Sequence, residues 1–89
     1  MMKKVLKYTL PGKGVSGEKN SLEVPFGTKI LRAGYQAGKF VLWCSTNPKA
    51  ARKVTRHFLI VPTGGEIPAD CMHLASIEIG AEVWHVFEL

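Results

Sequence analysis

The chain has two cysteines and no CxxC pair, which excludes a zinc ribbon and a thioredoxin-like redox motif. Cys44 and Cys71 sit far apart in apolar stretches, the setting of buried free thiols in a reducing compartment. No apolar run approaches the roughly 20 residues of a membrane-spanning helix. The opening residues are basic, but only Val5 and Leu6 precede the interruption at Lys7, too little for the apolar core of a signal peptide. A cytoplasmic protein with no membrane partner is expected. Acids are also scarce. Seven Asp+Glu stand against twelve Lys+Arg, a net charge of +5, and this balance favours anionic partners. The carboxylates offer no convincing acid/base pair. His57, His73 and His85 lack the spacing that would bring two of them to one metal from one element. Catalytic residues, metal ligands and cofactors are therefore not assigned, and no enzyme is expected. No repeat or low-complexity tract breaks the chain, so residues 1–89 are read as one domain.

What is present is β-rich. Residues 28–36 and 39–44 alternate around Ala37-Gly38, a hairpin signal. In the first run Ile30, Arg32, Gly34 and Gln36 are expected on one face, and Leu31, Ala33 and Tyr35 on the other. The second run is apolar on both faces, as a central strand is. Residues 4–10 form a first strand, with Leu6, Tyr8 and Leu10 turned to the core and Pro11-Gly12 ending it. Residues 13–20 read as a connection, and residues 21–24 as a short strand stopped by Pro25-Phe26-Gly27. Residues 54–61 form a strong strand with Val54, Arg56, Phe58 and Ile60 on one side and Thr55, His57, Leu59 and Val61 on the other. Residues 72–79 and 82–88 meet at Gly80-Ala81 as a second hairpin. Between the strands, Ser45 or Thr46 before Asn47-Pro48 would begin a turn, and residues 48–53, with Pro48 first, would form a single helical turn too short to stand alone. About seven short, mainly antiparallel strands predict an all-β fold, a small sandwich or partly open barrel. Its edge strands favour a homo-oligomer.

Three constellations bear on function. Lys49, Arg52, Lys53, Arg56 and His57 form a basic cluster that either converges on phosphate oxygens or makes a solvated face. Trp43 is either core or an exposed indole on which a nucleobase stacks, and Tyr35 has the same two roles open to it. Thr63, Gly64 and Gly65 follow Pro62 in a loop that is a plain turn or a backbone cradle for an anion. That loop lacks the length and lysine of a P-loop, which argues against ATP hydrolysis.

The order of these pieces resembles a family of short, mostly uncharacterised bacteriophage and prophage proteins. The matching residues are Lys7, Tyr8 and Leu10; Pro25, Gly27, Ile30 and Leu31; Gln36, Gly38, Leu42 and Trp43; Arg56 and Phe58; Thr63 and Gly64; and Val83, His85, Val86, Phe87 and Glu88. Two departures stand out: Pro62 where the family pattern has glycine, and the basic insert at residues 49–53. The chain is also similar to the anti-CBASS sponge group, which sequesters cyclic oligonucleotide immune signals. The resemblance implies a non-enzymatic protein of an infected bacterial host that holds a cyclic di- or trinucleotide intact. In that reading the ligand-binding residues are Tyr35, Trp43, Arg52, Lys53, Arg56, His57, Thr63, Gly64 and Gly65. The alternative is a phage accessory protein that binds a host protein or a longer nucleic acid on the same basic face.

Overall fold

A computed structural model describes residues 2–12 and 17–89. Seven strands follow in order: β1 (Lys4–Thr9), β2 (Glu18–Pro25), β3 (Lys29–Gln36), β4 (Lys39–Thr46), β5 (Lys53–Pro62), β6 (Met72–Ile79) and β7 (Glu82–Glu88). They pair antiparallel into a three-stranded sheet, β1-β4-β3, and a four-stranded sheet, β2-β5-β7-β6. The protein is all-β, without helix among the described residues and without barrel closure. Among the described residues no helix is long and apolar enough to cross a membrane.

β4 is the central strand of its sheet, as its two apolar faces require. Phe40, Leu42 and Cys44 point inward and meet Phe58, Ile60 and Val86 of the other sheet, with Leu10 and Ala33 completing the core. Burying each large side chain of this set contributes roughly 1.5–3 kcal/mol, which makes the contact between the layers the main stabilising feature. The β3–β4 hairpin turns at Ala37 (φ 51°) and Gly38 (φ 78°). Both central residues are left-handed, the backbone of a type I′ turn.

Several expectations are corrected. Residues 48–53 form no helical turn; Asn47 closes a tight turn instead, its Oδ1 accepting from the Lys49 N–H at 3.1 Å and its carbonyl from the Ala50 N–H at 3.1 Å. A short Asx-type turn satisfies the backbone without the cost of nucleating a helix. The connection expected over residues 13–20 is shorter, because β2 begins at Glu18; residues 13–16 lie outside the described residues. The added length follows from Asn20, which is buried, accepts from the Gly12 N–H and donates to the Glu18 carbonyl at 3.2 Å.

The faces of β3 also differ from simple alternation. A bulge between Ile30 and Arg32 inserts Leu31 as an extra residue. Ile30 therefore pairs with Cys44 on the inner side, in line with Ala33 and Tyr35, while Arg32 pairs with Trp43 on the outer side. A bulge shifts every residue beyond it by one place in the face pattern. The faces expected for β5 stand: Phe58 and Ile60 point inward, where they meet Trp84 and Val86 of β7.

Candidate functional site

Charge divides between the two sheets. β1, β3 and β4 carry Lys4, Lys7, Lys29, Arg32 and Lys39, and no carboxylate. The other four strands carry Lys19, Lys53 and Arg56 against Glu18, Glu23, Glu78, Glu82 and Glu88. The two remaining acids, Glu66 and Asp70, lie in the β5–β6 connection. The positive charge of the chain thus belongs largely to one layer, where nothing on the same strands neutralises it.

The outer face of that layer is built around Trp43. Register sets Lys7 on one side of it and Arg32 on the other. The indole is half-buried, with the Arg32 guanidinium carbon 5.7 Å from its ring centroid. It lies against Gly34, where a Cβ would stand 2.8 Å from the indole Cζ3. Lys7 donates to the Gln36 Oε1 at 3.1 Å. The row between them holds Val41, an outward-facing position that is only 2% exposed. Lys29 and Lys39 stand at either end of the same face, both exposed. The face thus sets an aromatic plane between two cations, with two further lysines at its ends.

The residues nominated from sequence are not all brought to this face. Tyr35 lies on the opposite side of the same sheet, edge-on to Phe40 at 4.9 Å between centroids. Arg52 is in the β4–β5 connection, its guanidinium stacked 4.3 Å from the Phe26 ring centroid, and Lys53 is exposed where β5 pairs with Pro25. Arg56 points inward. Its Nε and a terminal nitrogen donate to the two Glu88 oxygens, each at 2.6 Å, and its other terminal nitrogen donates to the Thr28 carbonyl at 2.6 Å. That fork leaves the guanidinium joining β5, β7 and the turn before β3, with a pKa raised chiefly by the Glu88 hydrogen bond. Cys44 lies nearby; burial pushes its thiol up, and the positive charge of Arg56 opposes this in part.

His57 is on the outer face of the four-stranded sheet, its Nδ1 2.8 Å from the Ser21 hydroxyl. Thr63, Gly64 and Gly65 are at the end of that sheet. Thr63 N–H donates to the Val83 carbonyl at 3.1 Å and Gly65 N–H to the Pro62 carbonyl at 2.9 Å, so both are engaged within the fold. Gly64 has φ 95°, and Gly65 packs so closely that a Cβ there would be 2.9 Å from the Val61 Cβ. Both glycines thus have a structural reason.

A hydrogen-bonded chain runs across this second face. His73 Nε2 is 3.0 Å from the Ser76 hydroxyl, which is 2.7 Å from His85 Nδ1, and His85 Nε2 is 2.9 Å from the Thr63 hydroxyl. Both ring nitrogens of His85 face hydroxyls. A serine nucleophile would need its histidine oriented by a carboxylate or an equivalent third group. No group of three or more His, Cys, Asp or Glu that could hold a metal occurs among the described residues.

Sequence reasoning passed over Lys7, Lys29, Arg32, Gly34 and Lys39. Their signal was the lack of any acid in three of the seven strands, but only the pairing of those three into one sheet makes it a surface. The model of a family described as a domain of unknown function, DUF7352, matches residues 1–89. No curated protein and no solved structure matches the chain.

Proposed function

The chain belongs to the DUF7352 family, and we propose that it is a non-enzymatic binder of phosphodiester-linked nucleotides, using the outer face of the three-stranded sheet. The observation that carries this reading is the half-exposed Trp43 indole between Lys7 and Arg32, on a sheet whose strands contain no carboxylate. Trp43 stacks a base, and Lys7, Lys29, Arg32 and Lys39 take the phosphates. Cations suit phosphate oxygens, and a π-face accepts any base. The resemblance to phage sponges supplies the finer proposal. The ligand is a cyclic di- or trinucleotide immune signal, sequestered intact in the cytoplasm of an infected bacterium.

Homo-oligomerisation is part of the same proposal. The edge strands of the basic sheet, β1 and β3, each have one hydrogen-bonded neighbour in that sheet, and pairing of such edges between copies would bring two basic faces to one ligand.

Isothermal titration of the protein with cyclic di- and trinucleotides tests the reading. Binding is expected in low salt, weakened at least about tenfold in Trp43→Ala and Arg32→Gln, losses of the size that base stacking and charged hydrogen bonds provide. The logarithm of affinity should fall linearly with the logarithm of salt, less steeply in Arg32→Gln. Folded protein that gives no heat with any of these compounds would remove the proposal.

A further inference from the structure

A second basic feature adjoins the Trp43 face. Met2, Lys3, Lys4, Asn47, Pro48 and Lys49 line an open groove of about 540 Å³ at the end of the β1–β4 pair. Lys3, Lys4 and Lys49 are exposed, and no carboxylate is among the lining residues. Asn47, Pro48 and Lys49 belong to the turn in which Asn47 accepts from the Lys49 and Ala50 N–H groups. Lys3 and Asn47 continue the alternation that places Val5, Lys7, Trp43 and Ser45 outward. Lys4, which also lines the groove, pairs with the buried Thr46 on the opposite side, so the groove caps the end of the sheet and adjoins that face. Trp43 and Asn47 are four positions apart along one extended segment, about 13 Å at roughly 3.3 Å per residue.

We infer that this groove is a phosphate subsite of the ligand stacked on Trp43, so that the protein favours oligonucleotides of three or more linked nucleotides over shorter ones. The inference rests on the proposed nucleotide reading and adds the size of its ligand. Stacked nucleotides advance about 3.4 Å each along a strand, so about 13 Å is roughly four stacked steps, and fewer when the backbone is drawn out. A mononucleotide or a compact two-nucleotide ring on Trp43 stops short of the lysines. A larger ring or a linear strand of sufficient length places a phosphodiester among them. Lysine suits that role, since its compact charge on a flexible stem follows a backbone without demanding one geometry.

The experiment compares the parent protein with a Lys3→Gln/Lys49→Gln double variant. The probes are a cyclic dinucleotide, a cyclic trinucleotide, linear dT2 and linear dT5, with affinity measured by titration calorimetry in fixed salt. In the parent protein at least one of the larger probes is expected to bind about tenfold more tightly than its smaller counterpart, the gain from one or two added charged contacts. In the double variant that ratio is expected to fall to near one. A gain confined to the trinucleotide ring assigns the site to cyclic ligands, and a gain confined to dT5 assigns it to linear strands. Equal affinity for short and long probes in the parent, or an undiminished gain in the variant, overturns the subsite while leaving stacking on Trp43 intact. Failure of every probe to bind overturns the nucleotide reading itself, and the subsite with it.

Discussion

The indole of Trp43 occupies the space that a side chain at Gly34 would need: a Cβ there would stand 2.8 Å from Cζ3 and 3.3 Å from Cη2. The two residues are on adjacent strands, and Gly34 itself pairs with Val41. The missing side chain lets the ring lie against the β3 backbone beside Arg32. The aromatic surface is thus a property of two strands, and its position depends on a residue that contributes no atoms beyond the backbone.

Replacing Gly34 with valine is expected to lift the indole away from the sheet. Overpacking of this kind costs about 1–3 kcal/mol, and turning outward into water relieves the contact. With Trp84 replaced by phenylalanine so that Trp43 alone emits, Gly34→Val should shift the emission to longer wavelength and lower the urea midpoint. An unchanged spectrum would show that the ring is held by something other than the bare backbone at position 34.

The Arg56–Glu88 fork should matter for stability. Both oxygens of Glu88 and the Thr28 carbonyl are engaged at 2.6 Å, and the two side chains are only 24% and 18% exposed. Losing one partner leaves the other charged and poorly solvated, so Arg56→Ala or Glu88→Ala is expected to cost about 2–3 kcal/mol in denaturant titration. Arg56→Lys should recover only part of this, because an ammonium cannot reproduce the two-pronged contact. Full recovery by lysine would mean that charge alone matters.

Ala37 is the only described residue other than glycine with positive φ, at 51°. A Cβ in that region crowds the following carbonyl, whereas Asn and Gly tolerate it. Ala37→Asn and Ala37→Gly are both expected to raise stability, the first by about 0.5–1 kcal/mol and the second by less because glycine loses more freedom on folding. A fall in thermal midpoint for both would indicate that the hairpin turn is held in some other conformation in solution.

Cys44 links stability to alkaline pH. Burial is the largest influence on its thiol and raises its pKa above the ordinary 9.0, with Arg56 lowering and Glu88 raising it further. The folded state therefore keeps the proton after the unfolded chain has lost it. Its contribution is fully present below about pH 9 and is lost as pH rises through the folded value. The parent should lose stability in that window faster than Cys44→Ala, as urea titrations at pH 8 and pH 10 would reveal. In the native protein at neutral pH, iodoacetamide should modify Cys71 and spare Cys44, which is 1% exposed; equal labelling of both would contradict this.

Much of the fold was legible in the residues. Alternation in residues 54–61 marked a strong strand, and Ala37-Gly38 and Gly80-Ala81 marked hairpins, because strand period and turn chemistry are local. Leu31 was not legible: a bulge depends on which residue the partner strand sets opposite, and so Ile30 changed sides. Asn20 was missed for a similar reason, since its partners at Gly12 and Glu18 are made only once β2 is in place.

The site divides the same way. Residue types alone determined that this chain would be basic, all-β and furnished with an aromatic residue on a central strand, because composition and period act within a few positions. Only the tertiary structure decided which cations stand beside that ring. Arg56 was near Trp43 in the chain yet turned inward to Glu88, while Lys7 and Arg32, distant in sequence from each other, were set on its two flanks by strand pairing. Position along a chain fixes what chemistry is on offer, but a binding surface is a relation between strands, and antiparallel register supplies it.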